Sequence, residues 1–300
     1  MARPIHVVDV FTERPLTGNQ LGVVLEAEGM DPAVMQKVAR ELNFAETTFV
    51  MRPENEKHTA RVRIFTPATE LPFAGHPTIG TSWVLYSEGR VPSGARELVL
   101  EENVGPVPVR WEGDPAHPRF WMTHPPLTYG EVFDRAGVAK AIGLTEGDLV
   151  PGVQPQTVST GSPFVFVALR DQRAVDAARS SSELIGPLLK GRGAHGVFLF
   201  CAAGDHRLYS RMFAPSVLDI VEDPATGSAS GPLGAYAVRH GLVPRGDRVA
   251  LVSEQGTKMG RQAFVHIALD YAGAGDIPSR IEVGGSVRPV LKGTLVAEGT

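Results

Sequence analysis

A single carboxylate lies among apolar side chains near the end of a predicted helix. Glu46 is surrounded in the sequence by Phe44, Ala45 and Phe49. Loss of solvation there would disfavour the charged form and suit the acid to proton transfer. A glutamate at a helix end is ordinarily solvated, however. Glu46 is therefore a candidate acid/base whose alternative role is an ordinary surface residue.

Two glycine motifs precede apolar helical segments, Gly75-His76 in the first half and Gly227-Ser228 in the second. A helix N-terminus exposes unpaired N–H groups and carries about half a positive charge. Glycine also allows a ligand to approach the backbone closely. Either motif alone is equally typical of an ordinary tight turn. If the halves pack as pseudo-repeats, both turns are expected to open on one interdomain cleft that binds a small carboxylate.

Three polar side chains beside these turns are further candidates for chemistry. His76 stands in the first turn of its helix, where the dipole favours neutral imidazole, although a buried core histidine is the common alternative. Asp223 precedes Pro224 and can simply set a turn. Ser228 can simply cap its helix.

The positioning elements occur twice in the same order, which favours an internal duplication over chance recurrence. The same number of residues separates Gly75 from Gly227 and Gly89 from Gly241. The matching blocks are Arg63 to Pro67 with Arg211 to Pro215, Ala74 to Thr78 with Thr226 to Ser230, and Thr17 to Gln20 with Thr160 to Pro163.

Alternating polar and apolar residues predict many half-buried strands. The predicted strands are Ile5 to Phe11, Arg61 to Phe65, Val107 to Trp111, Phe164 to Leu169, Val197 to Phe200, Leu208 to Phe213, Val249 to Val252 and Phe264 to Leu269. A surface helix is predicted from Asp31 to Leu42, because Asp31 can cap it and Pro32 suits its first position.

Two other helical segments, Pro77 to Glu88 and Ala229 to Arg239, are apolar nearly all round and are expected to be buried. The pattern predicts an α+β protein of two pseudo-repeated domains, each a barrel-like, mainly antiparallel sheet around a central buried helix. Gly89 and Gly241 then suit the left-handed position after each helix. The predicted domains are 1–116 and 117–281, with 282–300 returning to the first.

Composition excludes several classes of function. The chain has 300 residues, a formal charge of −4 and one cysteine, Cys201. No basic run indicates nucleic-acid binding, and no apolar segment is long enough for a membrane span. No secretory signal is evident, so a cytoplasmic location is expected. No metal-ligand spacing is found, and one cysteine excludes a two-thiol racemase and an intrachain disulfide.

Read together, several segments resemble the PhzF-like phenazine-biosynthesis isomerase family. They are Val8 to Phe11, Gly18-Asn19, Ala45 to Val50, Arg63 to Pro67, Glu70 to Thr78, Glu222 to Ala229, Gln255-Gly256 and Gly260-Arg261. The similarity extends over essentially the whole chain. Gln20 departs from the family pattern, in which proline often follows the Gly-Asn pair.

The resemblance implies a diaminopimelate epimerase-like fold and an isomerase that uses neither metal nor organic cofactor. Glu46 matches the family's general acid/base. His76, Asp223 and Ser228 match the family's positions for substrate binding and proton handling. Gly75 and Gly227 match its backbone donors. The best-known member isomerises a dihydro-hydroxyanthranilate, and members are commonly homodimers.

The favoured function is thus a proton shift within a small carboxylate-bearing substrate. One alternative is an epimerase or racemase that uses His76 or Asp223 as the opposing base. Another is a non-catalytic small-molecule-binding scaffold of the same fold. No nucleic-acid or membrane partner is expected.

Overall fold

The computed structural model describes residues 2–218 and 220–297, which divide into two units. The first unit runs to Thr123 and resumes at Gly284, and the second is His124–Val283. The strand Arg119–Thr123 belongs to the first unit because it pairs with the strand before it. The domain boundary predicted at 116/117 would have assigned that strand to the second domain.

The elements of the first stretch are strands with two helices among them. The strands are β1 (Ala2–Val10), β2 (Asn19–Val24), β3 (Glu46–Met51), β4 (Ala60–Phe65), β5 (Glu70–Leu71), β6 (Glu97–Glu102), β7 (Gly105–Glu112) and β8 (Arg119–Thr123), and the helices are α1 (Pro32–Leu42) and α2 (Gly75–Ser87).

The second stretch has the same character with more helices. Its strands are β9 (Thr128–Val132), β10 (Gln156–Ser159), β11 (Phe164–Ala168), β12 (Val197–Ala202), β13 (Arg207–Ala214), β14 (Ile220–Asp223), β15 (Arg248–Gln255), β16 (Ala263–Asp270) and β17 (Arg280–Gly285). Its helices are α3 (Arg135–Ala141), α4 (Gln172–Ala177), α5 (Ser182–Leu189) and α6 (Gly227–Arg239), with 3₁₀ turns at Glu146–Asp148 and Thr257–Met259. The strand β18 (Val287–Val296) then pairs antiparallel with β1.

Each unit arranges its strands around one buried helix. The helix α2 packs against β1, β2, β3, β6, β7, β8 and β18, and α6 packs against β10, β11 and β16. The apolar circumference of both helices explains this position, because no polar face needs solvent. The predicted α+β class with a buried helix in each strand-rich unit is confirmed, and the sheet is mixed rather than purely antiparallel.

The same order of strand pairing is found in both units. β2 is parallel to β3, which is antiparallel to β4, which is parallel to β6. β11, β12, β13 and β15 repeat that order. Parallel neighbours need a crossover connection, and helices supply it here. This correspondence supports the duplication inferred from the sequence.

One ion pair also recurs at equivalent positions. Arg63 makes two hydrogen bonds to Glu70, at 2.7 and 2.6 Å, and Arg211 makes two to Glu222, at 2.8 and 2.7 Å. Such paired bonds fix a guanidinium against a carboxylate in one geometry. They tie the strand β4 to β5 and the strand β13 to β14, just before the two buried helices.

The predicted helix punctuation is confirmed. The Asp31 carboxylate accepts a hydrogen bond from the Ala33 amide at 2.7 Å and thus caps α1. Gly89 and Gly241 have φ of 65° and 68° at the ends of α2 and α6. Glycine adopts a left-handed φ without steric cost, so both residues end their helices as predicted.

The eight predicted strands are confirmed, although most extend further than predicted. The predicted strands do not include ten of those formed by the described residues, among them β6, whose six residues end in two acids, and the covering helices α3, α4 and α5 were also missed. Those helices pack Val138, Val175 and Ile185 against apolar residues of β11 and β12. None of the helices formed by the described residues is both long and apolar enough to cross a bilayer.

We expect Gly80→Val to destabilise the first unit by about 1–3 kcal/mol through overpacking. A Cβ atom at Gly80 would lie 2.5 Å from Leu21 Cδ2 and 2.9 Å from Val10 Cγ2, so α2 could not keep its distance from β1 and β2. The matched control is Gly275→Val, since a Cβ there meets no atom within 4 Å. Urea unfolding measures the free energy of unfolding of both variants. Equal stability of the two variants would contradict close packing of α2 against β1 and β2.

Candidate active site

Glu46 and His76 meet inside the first unit. Glu46 is the first residue of β3, and His76 is the second residue of α2. His76 Nε2 lies 3.2 Å from Glu46 Oε2. Both side chains are buried, with exposed fractions of 8% for Glu46 and 4% for His76. The sequence prediction placed both residues in one site, and the fold brings these two together from positions far apart in the chain.

A third residue fixes the orientation of the histidine ring. His76 Nδ1 lies 3.1 Å from the amide nitrogen of Asn19, in the buried first residue of β2. An amide nitrogen carries hydrogens and cannot accept, so Nδ1 is the acceptor in this arrangement. This contact favours the tautomer of the neutral ring with its hydrogen on Nε2, the nitrogen nearest Glu46. Asn19 belongs to the Gly18-Asn19 motif, but the sequence does not predict its contact with His76.

Burial lowers the pKa of His76 to about 3, and a backbone hydrogen bond at Gln20 acts weakly in the opposite direction. The position in the first turn of α2 also disfavours positive charge. His76 is therefore neutral near pH 7, as the sequence predicted. A neutral imidazole adds no permanent cation beside the carboxylate, and Nε2 and Oε2 approach to 3.2 Å without forming a hydrogen bond.

The start of α2 has backbone donors without a side-chain cap. Ala74, the N-cap residue, is extended, and no side chain of the described residues caps the helix there. Gly75 and His76 are buried in the first turn. Unpaired N–H groups at such an end favour an anion. That this turn binds an anion stays a prediction.

A second polar cluster lies at the start of α6 in the second unit. The Thr226 hydroxyl donates to Asp223 Oδ2 at 2.5 Å. The Gln255 amide donates to the Asp223 carbonyl at 2.8 Å and to Thr226 Oγ1 at 3.0 Å, and its oxygen accepts from the Thr226 amide at 3.1 Å. Asp223, Thr226 and Gln255 are all buried. The cluster holds the turn before α6 in one geometry.

Glycine is required beside this cluster. Gly256 has φ of 75°, and a Cβ there would lie 2.4 Å from the Arg261 carbonyl oxygen and 2.6 Å from that of Pro224. The close approach keeps Gln255 against the turn. Gly227 and Ser228 open α6, with Ser228 half-buried and no side-chain hydrogen bond at the N-cap residue.

The predicted site residues thus form two groups, Glu46 with His76 and Gly75 in the first unit, and Asp223 with Gly227 and Ser228 in the second. That both groups face one substrate stays a prediction. Sequence reasoning missed the parts played by Asn19, Thr226 and Gln255. Asn19 and Gln255 stand next to Gly18 and Gly256 in the motifs, but the residues that they contact are distant in sequence.

The family model described as a phenazine biosynthesis-like protein matches residues 8–293. The chain belongs to the phenazine biosynthesis-like protein family. It is 36% identical to the trans-2,3-dihydro-3-hydroxyanthranilate isomerase of Pseudomonas aeruginosa, over 98% of this chain and 97% of that relative.

Solved structures agree with this membership. A phenazine biosynthesis protein of the PhzF family from Bacillus anthracis superposes with a TM-score of 0.88 at 25% identity, covering 99% of this chain and 100% of that chain. A hydroxyproline epimerase from Agrobacterium vitis has a TM-score of 0.66 at 13% identity, covering 98% of this chain and 92% of that chain, which shows a shared fold alone. The predicted family, fold class and isomerase class of this phenazine biosynthesis-like protein are confirmed.

We expect the Asn19→Ala variant to change the tautomer of His76, because Nδ1 loses the donor that keeps the ring hydrogen on Nε2. In the unchanged chain, ¹⁵N NMR should show Nε2 protonated and Nδ1 unprotonated at pH 7, and the variant should show a mixture. Asn55→Ala, on the exposed surface, is the control. An Nδ1-protonated ring in the unchanged chain would contradict the assignment.

Proposed function

We propose that this protein is a cofactor-independent isomerase that shifts a proton within a small carboxylate-bearing substrate, with Glu46 as its general acid/base. The observation that supports this most is the buried contact of 3.2 Å between Glu46 and a neutral His76. A carboxyl group that both accepts and returns a proton must visit both protonation states in each turnover. Loss of solvation brings those two states closer in free energy.

In the proposed reaction, Glu46 removes a proton from one carbon of the substrate and returns it to another. With substrate bound, His76 is proposed to turn its Nε2 hydrogen towards Glu46 Oε2, 3.2 Å away, and so to offset part of the free-energy cost of burying the charge. Because Asn19 holds the other ring nitrogen, the imidazole keeps this orientation while Glu46 changes protonation state. His76 also lies within reach of a substrate oxygen beside Glu46, which suits its proposed share in proton handling.

The proposed anchor for the substrate carboxylate is the start of each buried helix. Gly75 and His76 begin α2, and Gly227 and Ser228 begin α6, and both helix starts lack a side-chain hydrogen bond at the N-cap residue. Backbone N–H groups there suit a carboxylate. Asp223, held by Thr226, is proposed to bind an amino or hydroxyl group of the substrate.

The substrate to test first is trans-2,3-dihydro-3-hydroxyanthranilate, on which the Pseudomonas relative is named as acting. It carries the carboxylate, amino and hydroxyl groups that these residues suit. Other small cyclic amino acids with a hydroxyl group complete the panel.

Epimerisation with His76 as the opposing base is disfavoured by geometry. An epimerase needs a second base on the opposite face of the reacting carbon, but His76 lies directly against Glu46 in the same unit. Asp223 remains the alternative opposing base, and the position of the transferred proton distinguishes the two reactions. A homodimer and a cytoplasmic location stay predictions.

Cys201 has no part in the proposed chemistry. It is buried on β12, and burial raises the pKa of its thiol to about 11, so the reactive thiolate is scarce near neutral pH. Among the described residues, no group of His, Cys, Asp and Glu is arranged to hold a metal ion. The proposed mechanism therefore rests on Glu46 and the groups around it.

We expect Glu46→Gln to lower turnover by at least about a hundredfold, because general acid–base groups typically contribute about 10²–10⁴-fold. The amide keeps the size of the side chain but cannot shuttle a proton. Substrate affinity and thermal melting should change little. Turnover of the panel substrates, their binding and the melting temperature are measured together, with the exposed Glu56→Gln as control. Near-normal turnover of the Glu46 variant would reject Glu46 as the acid/base.

A further inference from the structure

A second buried acid lies beside the helix that carries His76. Glu102 is the last residue of β6 and has an exposed fraction of 3%. Its Oε1 lies 2.6 Å from the hydroxyl oxygen of Thr78, the fourth residue of α2. Its Oε2 is buried with no hydrogen-bond partner among the described residues. Glu102 belongs to neither group of candidate site residues.

The number of hydrogens around Thr78 indicates the protonation state of Glu102. Thr78 Oγ1 lies 2.8 Å from the carbonyl oxygen of Ala74 as well as 2.6 Å from Glu102. A hydroxyl has one hydrogen, and a carbonyl oxygen can only accept. If Thr78 donates to Ala74, the hydrogen between Thr78 and Glu102 must come from Glu102. Both contacts are hydrogen bonds only when Glu102 is a neutral carboxylic acid.

The surrounding charges agree with a neutral Glu102. No Lys, Arg or His within residues 2–218 and 220–297 forms an ion pair with it. Burial raises the pKa of Glu102 to about 8, against smaller lowering effects of the Thr78 hydrogen bond and the charge of Arg61.

The ionisable groups on neighbouring elements are otherwise engaged. Arg61 of β4 binds the Glu101 carbonyl and Asn103, and Glu101 binds His58. Glu70 of β5 binds Arg63, and Arg110 and Glu112 of β7 pair with each other. His76 of α2 is neutral.

A neutral side chain occupies the equivalent place in the second unit. Arg61 is aligned with Glu101 between β4 and β6, and Tyr209 is aligned with Glu254 between β13 and β15. The residue that follows is Glu102 in the first unit and Gln255 in the second. Gln255 donates hydrogen bonds to the turn before α6. A protonated Glu102 would likewise donate towards its own helix, whereas a carboxylate could not.

We propose that Glu102 is a positioning residue, which as a neutral acid donates a hydrogen bond to Thr78 and so leaves the Thr78 hydroxyl to hold the Ala74 carbonyl at the start of α2. The backbone bond from the Thr78 amide to that carbonyl is long, at 3.3 Å, so the hydroxyl is the closer donor. Ionised Glu102 would draw the hydroxyl hydrogen to itself and loosen the turn that carries Gly75 and His76.

The consequence for turnover rests on the proposed function, but the protonation state and its effect on His76 do not. Ionisation of Glu102 above about pH 8 is expected to disturb the environment of His76, which lies two residues from Thr78. Glu102→Gln should keep the donor and remove the pH dependence, whereas Thr78→Val should remove the link itself.

The first test compares folding constants of the unchanged chain and Glu102→Gln at pH 6 and pH 8. The pKa of Glu102 is raised from its ordinary 4.5, so the folded chain holds a proton that the unfolded chain releases, and stability falls as pH rises through this range. The folding constant of the unchanged chain should fall at least about tenfold relative to that of Glu102→Gln.

The control is Glu56→Gln, on the exposed surface. Glu56 stays in solvent in the folded chain, so the ratio of the folding constants of the unchanged chain and Glu56→Gln should stay constant from pH 6 to pH 8. If the ratio of the folding constants of the unchanged chain and Glu102→Gln is also constant from pH 6 to pH 8, the proposal is overturned.

The second test follows the ¹⁵N signals of His76 from pH 6 to pH 9 without substrate. The unchanged chain should show a transition near pH 8 that is absent from Glu102→Gln and from Thr78→Val. Its persistence in Glu102→Gln would overturn the proposal even if the protein proves to be an active isomerase. If the transition behaves as expected while no panel substrate turns over, the proposed function fails and the positioning role of Glu102 stands.

Discussion

Burying a carboxyl group is unfavourable unless the group is neutral or receives hydrogen bonds, and this constraint shapes the first unit. Glu46 and Glu102 are both buried near the start of α2. Neutral His76 lies 3.2 Å from Glu46 without a hydrogen bond between Nε2 and Oε2, whereas the Thr78 hydroxyl is hydrogen-bonded to Glu102 at 2.6 Å. The buried helix makes both contacts possible, because its first turn brings side chains from two of its faces to two different strands.

The second unit meets the same constraint with a different set of groups. Asp223 is buried there, and its partner is the Thr226 hydroxyl, which the Gln255 amide supports in turn. A neutral amide therefore does in this unit what we propose a neutral acid does in the first. Both units have a glycine at the start of the buried helix but differ in the polar side chains around it. In the proposed function, this difference lets one unit supply the acid/base and the other bind substrate groups.

Local patterns were sufficient to predict α1, the buried helices and the strands that alternate clearly, because those features depend on neighbours in sequence. The carboxylate at Glu46 and the turn at Gly75-His76 were identified as parts of one site by family resemblance and by chemistry. The contact between Asn19 and His76 was not predictable, since 57 residues separate them. Glu102 was missed for a similar reason: β6 ends in two adjacent acids, and only the fold shows that Glu101 caps a loop whereas Glu102 enters the interior.

The proposed reaction moves a proton between carbon atoms of a small carboxylate-bearing substrate. Incubation with trans-2,3-dihydro-3-hydroxyanthranilate and the related cyclic amino acids in heavy water tests it most directly, with mass spectrometry and NMR of the recovered compounds. The proposed reaction should give an isomerised product in which deuterium from the solvent, or the substrate's own proton returned by Glu46, is bound at a new carbon. Deuterium found only at the original carbon, with inverted configuration, would contradict this reaction and indicate epimerisation instead.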